Sequence, residues 1–220
     1  MNRSALLLGA SGLVGGECLK ILLAEKSFDR VHAIVRRPLA LDHPKLIQHV
    51  ISFDDLESTS VVWSSDVVFC CLGTTIKKAG SQKAFRKVDH GYPLAAARGA
   101  ASNNAQVFLL ISALGANAGS PVFYNRVKGE TERDLKELNL RHLIILRPSL
   151  ILGDRKEPRA GEKIASAFMK SLAALMVGSF RRYRPIHART IGRAMVKLSL
   201  KKGSGTTLLE SDQIEVLGKE

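Results

Sequence analysis

Near the start of the chain stands Ser4-Ala5-Leu6-Leu7-Leu8-Gly9-Ala10-Ser11-Gly12-Leu13-Val14-Gly15. Ser4 to Gly9 has the length and apolar character of a buried strand, while Leu13 to Glu25 carries Val14, Cys18, Ile21 and Leu22 on one helical stripe. Between them lie three glycines in a GxxGxxG spacing. Gly9 permits a tight turn, Gly12 leaves room for a pyrophosphate to approach the backbone, and Gly15 lets the helix pack closely on the strand. A helix beginning here directs unpaired N–H groups and the positive end of its dipole at bound phosphate. The glycines alone are a weak sign. In a first strand-to-helix turn they predict a nucleotide cofactor held by Gly9, Ala10, Ser11, Gly12, Leu13, Val14 and Gly15.

The pattern continues outward from this turn. Strands are expected at Val31–Val35, Leu46–Ile51, Asp66–Leu72, Val107–Ser112 and Leu143–Arg147, the last stopped by Pro148. Asp66 to Leu72 is almost wholly apolar, as a central parallel strand covered on both faces must be. Helical stretches alternate with these runs: Gln82–Asn103, bent near Gly91-Tyr92-Pro93, and a charged one within Pro121–Leu138. Such alternation predicts an α/β fold, a doubly wound and mostly parallel sheet of the Rossmann type. Beyond residue 150 the rhythm changes to a polar turn at Gly153–Pro158, helices over Glu162–Val177 and Thr190–Leu200, and a short strand at Thr206–Leu209. The expectation is one domain over 1–220, with a core to about 150 and a small substrate-side extension over about 151–220.

Bulk properties narrow the setting. At 220 residues with 45% hydrophobic and 24% charged side chains, the chain can bury a sizeable core. Three cysteines, two of them adjacent in a strand, predict buried thiols and a reducing, cytoplasmic location rather than a disulfide framework. No run reaches membrane-spanning length, and no Cys/His spacing points to a metal. The formal charge of +13 is read as a basic solvated surface without a specific nucleic-acid partner, since the interleaved aromatics of a single-strand binder are missing. The apolar helix expected over Glu162–Val177 is read as covering a pocket or a subunit contact, in preference to a membrane surface.

The end of the second strand bears on which nucleotide is bound. An acidic residue there would hold a ribose 2′-hydroxyl, whereas arginine accommodates a 2′-phosphate. This chain reads Ile34-Val35-Arg36-Arg37-Pro38, so NADPH is expected over NADH, through Arg36 or Arg37. Asp54 is a candidate for the adenine amino group. Leu72, Gly73 and Thr74 fall where a dinucleotide crosses the sheet edge.

Three further residues supply chemistry. Ser112 ends the fifth strand, and Tyr124 and Lys128 share one face of the following helix. A phenol is a weak acid–base group at neutral pH and needs a nearby cation, which Lys128 and the oxidised nicotinamide provide. Ser112 would hold the substrate oxygen. His187 is an alternative substrate contact or helix cap. With Gly9-Ala10-Ser11-Gly12, Ser112-Ala113-Leu114-Gly115-Ala116, Tyr124-Asn125-Arg126-Val127-Lys128-Gly129-Glu130 and Leu146-Arg147-Pro148, the chain resembles the atypical short-chain dehydrogenase/reductases, in the small branch of the human Tat-interacting protein and its bacterial relatives.

That resemblance implies a Ser-Tyr-Lys set at the nicotinamide. Tyr124 would be the proton donor, Lys128 would hold the ribose hydroxyls, and Pro148 and its successors would lie beside the nicotinamide ring. It also points to a homodimer through the helices after the fourth and fifth strands. Where relatives often have a serine pair, this chain has Ser112-Ala113. The function expected is an NADPH-dependent oxidoreductase acting on a small carbonyl or alcohol. The alternative is an NADPH-binding redox sensor with little turnover.

Overall fold

The computed structural model describes residues 3–58, 63–153 and 178–219. Its frame is a seven-stranded, wholly parallel sheet in the order β3-β2-β1-β4-β5-β6-β9. The strands are β1 (Arg3–Leu8), β2 (Phe28–Val35), β3 (Leu46–Val50), β4 (Val67–Cys70), β5 (Val107–Ile111), β6 (His142–Arg147) and β9 (Gly205–Glu210). A separate pair, β7 (Ile151–Leu152) and β8 (Ile186–His187), lies beyond the sheet and has no counterpart in the sequence pattern. Two residues per strand leave no period to detect.

Helices cover both faces. On one side α1 (Leu13–Ala24) sends Cys18, Leu19 and Leu22 into a core shared with Ala5, Leu7, Ala33 and Phe69. On the other side Leu6, Leu8, Ile34, Val68 and Cys70 meet a different set of helices. The side chains of each central strand therefore alternate between two cores, and β1 and β4 are apolar at every interior position because neither face meets water. The thiols follow the same logic. Cys70 is fully buried, and burial pushes its pKa up to about 12.

The second layer holds α2 (Ile76–Ala79), α3 (Gln82–Arg86) and α4 (Tyr92–Ser102), the last two joined by a single π-helical turn over Lys87–Gly91. The bend expected near Gly91-Tyr92-Pro93 thus takes the form of a π-turn. Its cause is Pro93, which has no N–H for the carbonyl four residues earlier, that of Asp89. The hydroxyl of Thr131 on α5 (Phe123–Lys136) lies 2.9 Å from that carbonyl and 2.8 Å from its own helix's Val127 carbonyl. A helix break is thereby tied to the neighbouring helix.

After residue 177 the chain returns to the α1 side through a 3-10 segment (Gly178–Tyr183), β8, α6 (Ala188–Leu200), β9 and α7 (Ser211–Lys219). β9 extends the main sheet, pairing in parallel with β6 from His142 to Arg147. Gly192 sits where an added Cβ would come 3.1 Å from the Cys18 nitrogen, so α6 packs directly on α1. The helix expected over Glu162–Val177 lies outside the described residues, as does most of the polar turn after Gly153.

Candidate active site

Strand order reverses between β1 and β4, and ligands of such sheets bind outside the carboxyl ends of the strands at that point. The glycine turn stands there. Gly9 has φ +88°, and an added Cβ would lie 2.6 Å from the Cys71 carbonyl oxygen on the neighbouring strand end. At Gly15 an added Cβ would lie only 2.0 Å from the Gly9 carbonyl oxygen, so the helix can press this close to the turn only with glycine. Gly12 closes the turn by donating its N–H to the Gly9 carbonyl at 2.9 Å. As the N-cap of α1 it offers no capping side chain, and no acidic residue occupies the helix's first turn. Bare backbone donors beside a tight turn fit a pyrophosphate. Gly15→Ala is expected to cost about 2–3 kcal/mol, the usual penalty of overpacking, since the obstructing atoms are backbone. Chemical denaturation monitored by circular dichroism checks it, and an unchanged midpoint would refute the close approach.

Arg36 and Arg37 are both exposed just past β2. The Arg36 guanidinium lies 5.9 Å from the centre of the Phe53 ring. Phe53 in turn meets Tyr92 edge-on. Asp54, expected at the adenine, already accepts a hydrogen bond from the Tyr92 hydroxyl at 2.7 Å and an ion pair from Lys87 at 2.6 Å. The hydrogen bonds from Lys87 and Tyr92 hold its carboxyl below the ordinary range. These contacts converge on Oδ1 and brace the π-turn against the loop after β3.

The most constrained charges lie at the end of β4. Lys128, one helical turn after Tyr124 on α5, is buried and forms an ion pair with Asp89 at 2.8 Å, the side chains being 7% and 1% exposed. The other carboxylate oxygen of Asp89 accepts the Thr74 N–H at 2.8 Å. An added Cβ on Gly73 would lie 3.5 Å from Asp89 Oδ1 and 3.9 Å from Lys128 Nζ. The ammonium therefore sits directly beneath the turn Leu72-Gly73-Thr74. Burial works to depress its pKa, but the Asp89 carboxylate, with Tyr124 adding to it, outweighs burial and holds the lysine above its usual value. Tyr124 is half-buried, its ring centre 5.6 Å from that of Phe85.

Asp89 escaped the reading of the sequence. A carboxylate inside a helical stretch ordinarily faces solvent, whereas this one lies four residues after buried Phe85 and shares its inward face. The available signal was Lys128 itself, because a lysine on the buried side of a helix requires a counter-charge.

Ser112 joins a different cluster. Its hydroxyl donates to Glu132 Oε1 at 2.5 Å, and Arg147 grips the same carboxylate through Nε at 2.9 Å and Nη2 at 2.5 Å. Ser112 and Glu132 are 4% and 2% exposed. Glu132 lies eight residues beyond Tyr124, roughly 12 Å of helical rise. The structure thus brings Lys128, Asp89, Gly73 and Thr74 together, with Tyr124 one helical turn before Lys128, while the Ser112 hydroxyl ties β5, α5 and β6 to one another. Pro148 is buried and its carbonyl accepts the Leu114 N–H at 2.9 Å, placing it over the end of β5. His187 precedes α6 without a side-chain cap bond.

The chain is similar to known proteins in sequence and in fold. Residues 9–179 match the model of a family described as NAD(P)H-binding. Protein HTATIP2 of Rattus norvegicus is 37% identical over all of this chain and 90% of its own length. The mitochondrial protein FMP52 of Eremothecium gossypii is 33% identical over 99% of this chain and 98% of its own. In fold, the enzyme WbmH of Bordetella bronchiseptica, solved with NAD+, superposes with a TM-score of 0.72 at 15% identity, covering 100% of this chain and 80% of WbmH. Human SDR39U1, solved with NADPH, gives 0.60 at 17% over 96% and 77%. No described helix is long and apolar enough to cross a membrane.

The cytoplasmic setting inferred from the cysteines is corrected by these relatives: the FMP52 proteins of Candida albicans and Eremothecium gossypii are mitochondrial by name. Reduced thiols were a poor guide because burial alone keeps Cys18 and Cys70 apart from any oxidant. Over residues 9–179 the chain belongs to the NAD(P)H-binding family, and over its whole length it is a relative of HTATIP2.

Proposed function

We propose that the chain is an NADPH-dependent oxidoreductase that interconverts a small carbonyl compound and its alcohol. The observation that carries this reading is the Lys128–Asp89 pair beneath Gly73 and Thr74, one helical turn from Tyr124. An ammonium buried at this cost beside a dinucleotide crossing needs a task there. Bound nicotinamide would supply the hydride. Tyr124 delivers the proton from its hydroxyl to the carbonyl oxygen. Lys128 stays charged because Asp89 faces it, presenting a donor to the ribose hydroxyls and a positive field to the phenol. Gly9 to Gly15 holds the pyrophosphate, with Leu72, Gly73, Thr74 and Pro148 lining the remainder of its course. Ser112 positions α5 through Glu132, and the substrate oxygen takes its orientation from Tyr124.

The test is NADPH oxidation against a panel of aldehydes, ketones and quinones. Turnover of any member, abolished when Tyr124 loses its hydroxyl, supports the reading. A chain that binds NADPH tightly yet reduces nothing in the panel is a sensor.

Preference for NADPH rests on Arg36 and Arg37, exposed at the position where a carboxylate would favour NADH. Arg36→Gln combined with Arg37→Gln is expected to weaken NADPH roughly 10- to 100-fold, the worth of a charge-assisted hydrogen bond, while leaving NADH nearly unchanged. Equal losses for both coenzymes in a fluorescence titration would remove the phosphate role.

A further inference from the structure

The described residues include four sulfur side chains, Cys18, Cys70, Cys71 and Met195, and three of them meet. Cys71, just past β4, places its Sγ 3.8 Å from Sδ of Met195 on α6. It also shares a hydrogen bond with the thiol of Cys18 on α1. Gly192, three residues before Met195, is what lets α6 come so near the Cys18 backbone. Three elements thus deliver one sulfur each to a single place in the core between the sheet, α1 and α6. Cys70 belongs to the opposite core.

This donor set has a definite chemistry. Among the described residues no three His, Cys, Asp or Glu side chains gather where a metal could sit, so ions that need nitrogen or oxygen ligands have no cluster to hold them. Two thiols and a thioether are soft ligands, and soft ligands of this kind select Cu(I). The spacing agrees. At a metal–sulfur bond of about 2.3 Å, three ligands in a plane stand roughly 4 Å apart. The edge from Cys71 to Met195 is already 3.8 Å, so little movement is needed there. Both cysteines are free, Cys18 and Met195 are fully buried and Cys71 is half-buried, so an ion enters past Cys71.

We propose that Cys18, Cys71 and Met195 form a Cu(I) site of two thiolates and one thioether in a trigonal plane. Cu(I) replaces both thiol protons, which leave for solvent, while Met195 binds through a sulfur lone pair and copper keeps its oxidation state. The loaded site carries one negative charge. An added Cβ on Gly9 would lie 2.6 Å from the Cys71 carbonyl oxygen, so that charge stands close behind the turn where the positive end of α1 begins.

The experiment titrates the full chain, free of coenzyme and oxygen, against the Cu(I)–bicinchoninate complex under ascorbate. The wild type should strip one Cu(I) per chain from the chelator, read as loss of its colour, and release two protons. X-ray absorption should then show three sulfur neighbours at about 2.3 Å. Cys18→Ala or Cys71→Ala should abolish the transfer, whereas Cys70→Ala should leave it intact. Met195→Leu conserves volume, so it should keep the wild-type melting temperature while holding copper more weakly. A wild type that leaves copper with the chelator would overturn the inference. So would transfer that survives Cys71→Ala, a folded Cys70→Ala that loses it, or Met195→Leu binding as tightly as the wild type. Loss of two free thiols with no copper retained would mark a disulfide instead and count equally against the site.

Discussion

Tyr124→Phe is expected to lower turnover of any reducible carbonyl by about 10²- to 10⁴-fold, the range general acid catalysis contributes. The substitution removes one oxygen and leaves the ring, which is wedged at 5.6 Å from Phe85, able to keep its packing. Its helix is held independently, by Lys128 against Asp89 at one point and by Glu132 between Ser112 and Arg147 at another. The melting temperature and the dissociation constant for NADPH should therefore stay at wild-type values. The loss should fall on the chemical step, visible as a lower kcat in stopped-flow measurements of NADPH oxidation. A variant that turns over as fast as the wild type would show that the proton comes from elsewhere. A variant that loses NADPH binding in parallel would show that the phenol's role is structural.

Lys128→Met should cost about 3–5 kcal/mol of folding stability, the penalty for leaving one member of a buried ion pair without its partner. Asp89 is 1% exposed and would be left facing an apolar side chain. Adding Asp89→Asn should recover much of the loss, because asparagine can still accept the Thr74 N–H and carries no charge to strand. The pH dependence has a definite sign. Burial opposes the charge of Lys128, and Asp89 more than offsets it, so the folded lysine titrates above its unfolded value. The stabilisation is then complete below an ordinary lysine pKa of about 10.4 and is lost as pH rises through the higher folded value. The gap between wild type and Lys128→Met should accordingly be flat from about pH 6 to pH 9 in urea denaturation. A gap that opens or closes within that window would mean another group controls the pair.

The sheet was legible because its signals are local. Strand residues such as Val67–Cys70 are apolar without interruption, and the period of α1 changes from that of β1 within one glycine turn. Much of the parallel arrangement follows from the same alternation, since a strand re-entered through a helix returns in the same direction, but β2 and β3 pair in parallel across a loop that holds no helix. Placement of β9 beside β6 was less legible, because a six-residue strand preceded by lysines and glycines reads equally as an isolated extension. The pair β7–β8, joined across more than thirty residues, left no trace at all.

The partition within the site has the same origin. The sequence by itself determined the glycine turn, the arginines that end β2, and the Tyr124–Lys128 spacing, because each depends on neighbours within a few residues. Only the tertiary structure decided that Ser112 belongs with Glu132 and Arg147, that Asp54 is engaged by Lys87 and Tyr92, and that Asp89 faces Lys128. A buried charge selects its partner by distance in space, across elements about fifteen to forty residues apart in the chain, and no local period encodes that choice.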